Sequence, residues 1–178
     1  KIYGSKIEIT LFKYLEDLEQ AIINSPPDII GLSNYAWNQN IGIEMFKLAR
    51  QKNPDILTVW GGPNFPIDFP SQQKFMNQYS VVDAYVPLEG EIGFSNIIEY
   101  ALTTNQKNKI RTQVISQSID GCVIRDGNNK LNYSGPGLRT VRLDDIPSPY
   151  LTGLFDKFFD GRLSPLMQTN RGCPFQCT

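Results

Sequence analysis

Two cysteines near the end of the sequence have a spacing that suits metal binding. Cys173 and Cys177 are separated by three residues, follow Arg171-Gly172 and enclose Pro174-Phe175. A pair of thiolates that closes a short loop is common in zinc and iron–sulfur sites, but two thiolates alone do not complete one. Taken alone, the pair is also compatible with an incidental spacing, a redox pair or half of a zinc site. The sequence therefore predicts two metal ligands, and a third cysteine of the same motif would lie beyond Thr178.

Three further groups of residues combine polar, aromatic and glycine residues. They are Ser33, Asn34, Tyr35, Trp37 and Asn38 in the first group, Gly61, Gly62 and Pro63 in the second, and Glu89, Gly90 and Glu91 in the third. The first group could hydrogen-bond amides and pack on a flat ring, the glycines could admit a close ligand, and the carboxylates could accept hydrogen bonds. Taken singly, each group also has a plain structural explanation, which is helix capping for the first and third and a tight turn for the second.

The spacing of the three groups places them at one edge of a sheet. Each of the three groups follows a predicted strand, and the intervals from Ser33 to Gly61 and from Gly61 to Glu89 are both 28 residues. One strand and one helix fill each interval, so the three strands run in the same direction and end at the same edge. Ligands of open α/β sheets bind at this carboxyl edge. The sequence therefore predicts a binding site made of all three loops.

The elements that hold these loops follow from hydrophobic periodicity. Strands are predicted at residues 6–12, 28–33, 56–60 and 81–86, and helices around 15–22, 41–49, 72–79 and 94–102. Asn40 is the expected cap of the second helix. Residues 103–117 are predicted to be a linker or exposed loop, 120–133 a hairpin that turns at 126–129, and 134–149 an extended segment. A short helix at 154–159 and a strand at 163–169 complete the prediction. Strands that alternate with helices are typical of an α/β domain with a mostly parallel sheet.

The composition excludes several classes of function. A net charge of −1 over 178 residues, without a basic stripe, argues against a nucleic-acid partner. Apolar runs are far too short to span a bilayer. Histidine is absent, which excludes a histidine base or metal ligand within these residues. Three cysteines, two of them clustered, favour a reducing compartment and hence a cytoplasmic location, and Cys122 in an apolar strand is expected to be structural.

Together these motifs resemble the cobalamin-binding radical SAM proteins. The matching segments, in the family's order, are Pro27–Ser33, Trp37-Asn38, Gly61–Pro63, Glu89–Glu91, the linker-like Asp145–Leu151, and Arg171–Cys177, which is similar to the opening of a C-x3-C-x2-C cluster motif. The resemblance covers nearly the whole chain. It implies a Rossmann-like (flavodoxin-like) parallel sheet flanked by helices and followed by a hairpin and an extended linker.

The resemblance also implies the ligands. Cobalamin would lie over the carboxyl edge, with Ser33 to Asn38 in contact with the corrin ring. Gly61 and Gly62 would leave room for the nucleotide tail, and Glu89 to Glu91 would border the same cavity. In the full-length protein, Cys173, Cys177 and a third cysteine would hold a 4Fe-4S cluster whose open iron chelates S-adenosylmethionine. An electron from the cluster then cleaves S-adenosylmethionine to a radical, and many relatives go on to transfer a methyl group.

Three departures stand out, and the third is a missing first strand. With no histidine in the chain, a bound cobalamin would lack the lower ligand that many other cobalamin domains supply, as is general in the radical SAM branch. Pro87-Leu88-Glu89-Gly90-Glu91 stands where the family usually has Gly-Glu-Gly-Glu. The expected domains are 1–103 for cobalamin, 104–162 for the hairpin and linker, and 163–178 for the start of the radical SAM domain. The first strand of the sheet is expected to precede Lys1.

The leading interpretation is the cobalamin-binding part of a radical SAM enzyme, inactive by itself, with methyl transfer to an unactivated carbon as one outcome. An electron donor and a small-molecule or peptide substrate would be its partners, without nucleic acid or membrane. The alternatives are a module that only loads cobalamin, and a docking or regulatory domain that binds none. Gly62→Val is expected to weaken cobalamin binding more than Cys177→Ala, because Gly62 borders the proposed tail channel.

Overall fold

The computed structural model describes residues 3–88, 90–135, 143–162 and 164. The chain divides into two compact units, Lys1–Arg139 and Thr140–Thr178. None of the helices in the described residues has the length and apolarity that crossing a membrane requires.

Helices and strands alternate through most of the first unit. They are α1 (Leu15–Asn24), β1 (Ile29–Ser33), α2 (Gln39–Lys52), β2 (Leu57–Gly61), α3 (Phe69–Gln78), β3 (Ala84–Val86), α4 (Gly90–Ala101), α5 (Ile110–Ile115), β4 (Val123–Arg125) and β5 (Leu131–Tyr133). Single turns of 3-10 helix lie at Gly4–Lys6 and Lys107–Lys109. Helix α3 begins where Asp68 accepts a hydrogen bond from the Ser71 amide at 2.9 Å, and that bond lowers the pKa of the exposed Asp68 carboxyl.

The five strands form one mixed, largely parallel sheet in the order β1-β2-β3-β4-β5. Strands β1, β2 and β3 are parallel, whereas β4 is antiparallel to both β3 and β5. Ser33 lies opposite Gly61, and Gly61 lies opposite Val86. The three parallel strands therefore end side by side, and the predicted Rossmann-like α/β fold is confirmed.

Two apolar cores lie on opposite faces of the sheet. Side chains alternate along β2, so Leu57 and Val59 pack with Ile97 of α4, whereas Trp60 packs with Phe46 of α2. Both faces are covered, which explains why the first four residues of β2 are all buried.

A buried carboxylate anchors two helices near the amino end of β3. Asp83 accepts hydrogen bonds from Arg50 of α2 at 2.7 Å, from Arg111 of α5 at 2.9 Å, and from the Thr58 hydroxyl at 3.0 Å. Only 1% of its side chain is exposed. This network lies at the edge of the sheet opposite the predicted site.

Three predictions of local structure are wrong. Residues 7–12 form no strand, and among the described residues no strand pairs with the outer edge of β1. A strand needs a neighbour for its hydrogen bonds, and the further strand expected before Lys1 stays a prediction. Asn40 lies inside α2, whose N-cap is Asn38. The expected loop at 103–117 contains α5, whose Val114 and Ile115 are buried in an apolar core. Polar residues beside them in the sequence mask the helical periodicity.

The predicted hairpin is confirmed and extends the sheet. At its turn, Asp126 Oδ1 accepts hydrogen bonds from the amides of Asn128 and Lys130, both at 2.8 Å. In the second unit, the expected short helix is a 3-10 turn at Asp156–Phe158. Residues 136–142, within the expected extended segment, lie outside the described residues, as does nearly all of the strand expected at 163–169.

Candidate functional site

The loop after β1 is closed by hydrogen bonds of its own. Asn38 Oδ1 accepts from the Tyr35 amide at 2.8 Å, and Asn38 Nδ2 donates to Ser33 Oγ at 3.2 Å. Asn38 therefore holds the loop together, and it makes no side-chain capping bond to α2. Ser33, at the end of β1, stays exposed.

Two aromatic rings stack on the outer surface of this loop. The ring centroids of Tyr35 and Trp37 are 4.6 Å apart and their planes differ by 14°. Such a pair presents a flat, largely apolar surface at the carboxyl edge of the sheet. The structure thus places two of the predicted ligand contacts together and in solvent.

Asn34 lies beneath the loop. Its side chain is fully buried, and Nδ2 donates to the Asn64 carbonyl at 2.9 Å and to the Tyr85 hydroxyl at 3.2 Å. A side chain with these partners supports the loop from below. The sequence shows that Asn34 is polar, but not which side of the loop it takes.

The two glycines after β2 have different structural roles. Gly62 has φ of +120°, and a Cβ built there would lie 2.8 Å from the Asn34 carbonyl oxygen. Gly61 has no such constraint, since its Cβ would make an ordinary contact with the Val86 carbonyl oxygen at 3.4 Å. The chain itself therefore requires glycine at 62, while Gly61 leaves the strand end open. Pro63 follows and is exposed.

The third loop is described in part. Glu89 lies outside the described residues, Gly90 begins α4, and Glu91 is exposed in its first turn, where a carboxylate favours the helix N-terminus. Leu88 has φ of +60°, a backbone conformation that few non-glycine residues adopt. The family's usual pattern has glycine at this position.

We expect Leu88→Gly to stabilise the protein. A leucine in the left-handed region costs about 1–2 kcal/mol, which glycine avoids, although glycine adds roughly 0.4–1 kcal/mol of unfolded-state entropy. The net gain in the free energy of unfolding should be between about 0 and 1.6 kcal/mol, measured by urea unfolding. Asn129, at φ of +61° in the hairpin turn, is the matched control, because asparagine tolerates this region and Asn129→Gly should gain less. A loss of stability for Leu88→Gly would contradict the strain at this loop.

The cysteines divide into two groups. Cys173 and Cys177 lie outside the described residues. Cys122 is buried, and its thiol donates to the Gly93 carbonyl at 3.3 Å. Burial, with a smaller contribution from the charge of Asp120, raises the pKa of the Cys122 thiol to about 12, so it stays protonated at neutral pH. The expectation that Cys122 is structural is confirmed, and the described residues contain no cluster of three metal-binding side chains.

Each loop at the carboxyl edge also exposes a large apolar side chain. Trp37 is 79% exposed, Ile67 is 98% exposed and Leu88 is 78% exposed. These residues follow β1, β2 and β3, respectively. Sequence reasoning missed Ile67, and it also missed Tyr85 and Gln39, whose hydrogen bonds support the loops. It singled out Asn64 only as the residue that follows Gly61-Gly62-Pro63, without a role. The available signal for Tyr85 was a tyrosine inside an otherwise aliphatic strand.

Comparison with known proteins shows which family the chain belongs to. No protein-family model matches the chain. It is 30% identical, over 99% of its length, to the cobalamin-dependent radical SAM methyltransferase TokK of Streptomyces tokunonensis. It is 31% identical over 89% of its length to a 2-(S-pantetheinyl)-carbapenam-3-carboxylate methyltransferase of Streptantibioticus cattleyicolor, and 28% identical over 90% to an uncharacterized methyltransferase of Pyrococcus horikoshii.

The chain spans 25%, 22% and 33% of these three relatives. The similarity thus covers almost all of this chain but only a part of each relative. Three observations point to the same family. They are the alternation of strands and helices, the position of three loops at one edge of the sheet, and this similarity. The chain belongs to the family of cobalamin-binding radical SAM proteins.

Proposed function

We propose that this chain is the cobalamin-binding part of a radical SAM methyltransferase, and that the corrin ring lies over the loops that follow β1, β2 and β3. The observation that carries the proposal is the stacked pair of Tyr35 and Trp37, with Trp37 almost wholly in solvent at the carboxyl edge. A stacked aromatic pair at this edge offers a flat apolar area that a ring-shaped ligand can cover. Relatives along nearly the whole chain include one whose name states cobalamin dependence.

The residues at this edge fit the chemistry of the cofactor. Cobalamin is a flat macrocycle fringed with amides, and it would supply a methyl carrier. Tyr35 and Trp37 offer a flat apolar surface, while the exposed Ser33 hydroxyl can hydrogen-bond an amide. The strand end at Gly61 has room, since a Cβ would meet little there. The absence of histidine from all 178 residues means that no imidazole of this chain would bind cobalt.

Each part of the edge has its own proposed task. Tyr35 and Trp37 pack on the ring and exclude water from it. Gly61, Gly62 and Pro63 border the nucleotide tail, and Gly62 does so by shaping the turn. Glu89, Gly90 and Glu91 border the third side of the cavity. Cys173 and Cys177 are proposed ligands of a 4Fe-4S cluster, together with a third cysteine outside this chain.

The activity of the full-length protein is a wider proposal. The relatives are named methyltransferases, so we propose methyl transfer with S-adenosylmethionine, a cluster and an electron donor in the complete protein. The cytoplasmic location and the predicted domain limits stay predictions. The apolar rim of Trp37, Ile67 and Leu88 would equally suit a docking domain that binds no cobalamin, and this is the second candidate.

We expect the chain to retain hydroxocobalamin through desalting, measured as visible absorbance, and Trp37→Ala to weaken its binding about tenfold. The loss reflects one aromatic contact and the apolar area that it buries. Ile23→Ala is the matched control, because Ile23 is also exposed but lies on α1, away from this edge. Its affinity should equal that of the unmodified chain.

Two results would count against the proposal. If the unmodified chain retains no absorbance, the docking alternative is favoured. If Trp37→Ala and Ile23→Ala bind equally well, the corrin ring does not rest on the aromatic pair.

A further inference from the structure

The two loops that carry most of the proposed site are joined by buried side chains. The amide of Asn34 donates to the Gly61 carbonyl at 2.6 Å, which continues the pairing of β1 with β2 by one residue. Beyond that point the backbones diverge into loops. One backbone hydrogen bond and several side-chain hydrogen bonds hold the loops together there. Apart from Asn34, the side chains that make these bonds were not among the predicted ligand contacts.

Asn34 and Asn64 bind each other through both backbone and side chain. The Asn64 amide donates to the Asn34 carbonyl at 3.3 Å, and Asn34 Nδ2 donates to the Asn64 carbonyl at 2.9 Å. Asn64 Nδ2 also approaches Asn34 Oδ1 at 3.4 Å. These three contacts attach the loop after β2 to the buried Asn34, whereas the loop that carries Tyr35 and Trp37 is closed by the bonds of Asn38.

Tyr85 of β3 completes the connection from below. Its hydroxyl donates to the Gly62 carbonyl at 2.9 Å and accepts from Asn34 Nδ2 at 3.2 Å. The ring is fully buried and stacks on Phe65 with centroids 3.9 Å apart. Burial raises the pKa of Tyr85 above its usual range, so the hydroxyl keeps the proton that it donates to Gly62.

The network continues into two helices. Asn64 Nδ2 donates to Gln39 Oε1 at 2.6 Å, and Gln39 Nε2 donates to the Tyr79 hydroxyl. Gln39 is the first residue of α2, and Tyr79 is the C-cap of α3. The loop after β2 is thus tied to a strand, a second loop and two helices.

Any buried hydroxyl needs a hydrogen-bond partner, but the partner of the Tyr85 hydroxyl has a specific place in the loop. Its acceptor is the carbonyl of Gly62, the residue whose φ of +120° makes the turn. Asn34 is the residue whose backbone closes off the space beside Gly62. The hydrogen bonds therefore hold the one backbone segment that the proposed nucleotide tail would pass. A site held in its bound shape avoids the entropy cost of ordering on binding.

We propose that Tyr85, Asn34 and Asn64 are positioning residues, whose shared hydrogen bonds fix the Gly61–Asn64 loop in the shape that admits the nucleotide tail of cobalamin. None of the three needs to touch the corrin ring. This inference rests on the proposed function. It adds that recognition of the tail and recognition of the ring are separable in this chain.

Tyr85→Phe tests the inference, because it removes the hydroxyl and keeps the buried ring. Binding is titrated with two probes, hydroxocobalamin and cobinamide, which is cobalamin without its nucleotide tail. We expect Kd for hydroxocobalamin to rise about tenfold, as for the loss of one or two hydrogen bonds, and Kd for cobinamide to change by less than about twofold. Asn64→Ala removes the side-chain hydrogen bonds to Asn34 Oδ1 and Gln39 Oε1 and keeps the two that use the Asn64 backbone, so it should show the same split to a smaller extent. Tyr133→Phe on β5 is the matched control and should change neither Kd.

The decisive result is the difference between the change in Kd for hydroxocobalamin and the change in Kd for cobinamide. An equal loss for both would mean that Tyr85 serves general stability, and unchanged Kd for both would mean that the loop needs no such support. Either result overturns the inference while leaving the proposed function intact. Failure of the unmodified chain to bind either probe would overturn the proposed function, and the inference with it.

Discussion

Gly62→Val is expected to lower the free energy of unfolding by roughly 2–5 kcal/mol, from about 1–2 for a side chain at positive φ and about 1–3 for overpacking. The added Cβ would lie 2.8 Å from the Asn34 carbonyl oxygen and 3.1 Å from its nitrogen. The Asn34 nitrogen donates to the Gly61 carbonyl and the Asn34 carbonyl accepts from the Asn64 amide, so neither atom can move aside without breaking a backbone hydrogen bond. Urea unfolding measures the loss.

The matched control for this substitution is Gly61→Ala, one residue earlier. Its Cβ would make only an ordinary contact at 3.4 Å, and its φ lies outside the left-handed region, so a change below about 1 kcal/mol is expected. Gly62→Val should still bind cobalamin less well than Cys177→Ala. The reason differs from the one that the sequence indicated, since the valine deforms the turn before it could reach a ligand. Wild-type stability for Gly62→Val would contradict this geometry.

Asp83→Ala is expected to lower the free energy of unfolding by about 3–5 kcal/mol, the usual effect of removing one partner of a buried ion pair. Asp83 accepts from Arg50 and Arg111, and it also accepts from the backbone amide of Thr58 at 3.1 Å. Without the carboxylate, the Arg111 guanidinium and the buried Thr58 amide lose their acceptor, and Arg50 keeps the Thr58 hydroxyl and the Val81 carbonyl. Helix α5 should loosen first, because Arg111 lies on this short helix.

Glu44→Ala provides the contrast for the Asp83 experiment. Glu44 pairs with Lys47 at 2.8 Å on the surface of α2, where both side chains are more than half exposed. Water screens such a pair, so a loss below about 0.5 kcal/mol is expected. Similar losses for Asp83→Ala and Glu44→Ala would show that the buried network is not what anchors α2 and α5.

The position of the site could be predicted from sequence because it depends on chain direction. One strand and one helix fill each interval from Ser33 to Gly61 and from Gly61 to Glu89, which predicts parallel strands, and the parallel pairing of β1, β2 and β3 confirms that direction. The direction of the strands and the spacing of the loops can be read from short stretches of sequence. They are enough to place a loop at one edge of the sheet, even when the packing of the side chains is unknown.

The buried hydrogen bonds that hold the loops in place could not be predicted in the same way. Asn34 and Trp37 lie three residues apart in one loop, yet one is buried and the other is in solvent. The partners of Asn34 are 30 and 51 residues away in sequence, so only the folded chain brings them together. Residues 7–12 show the opposite case, in which strand-like residues form no strand because pairing depends on a neighbour.

Hydrogen exchange with and without hydroxocobalamin would locate the ligand on the chain. With the corrin ring over the carboxyl edge, we expect slower exchange at residues 33–38 and 61–64 on loading, and no change at the hairpin turn of 126–130 or at 53–55 on the opposite edge. Protection confined to the opposite edge or to the hairpin turn, or no protection at all at saturating hydroxocobalamin, would contradict a corrin ring over the carboxyl ends of β1 and β2.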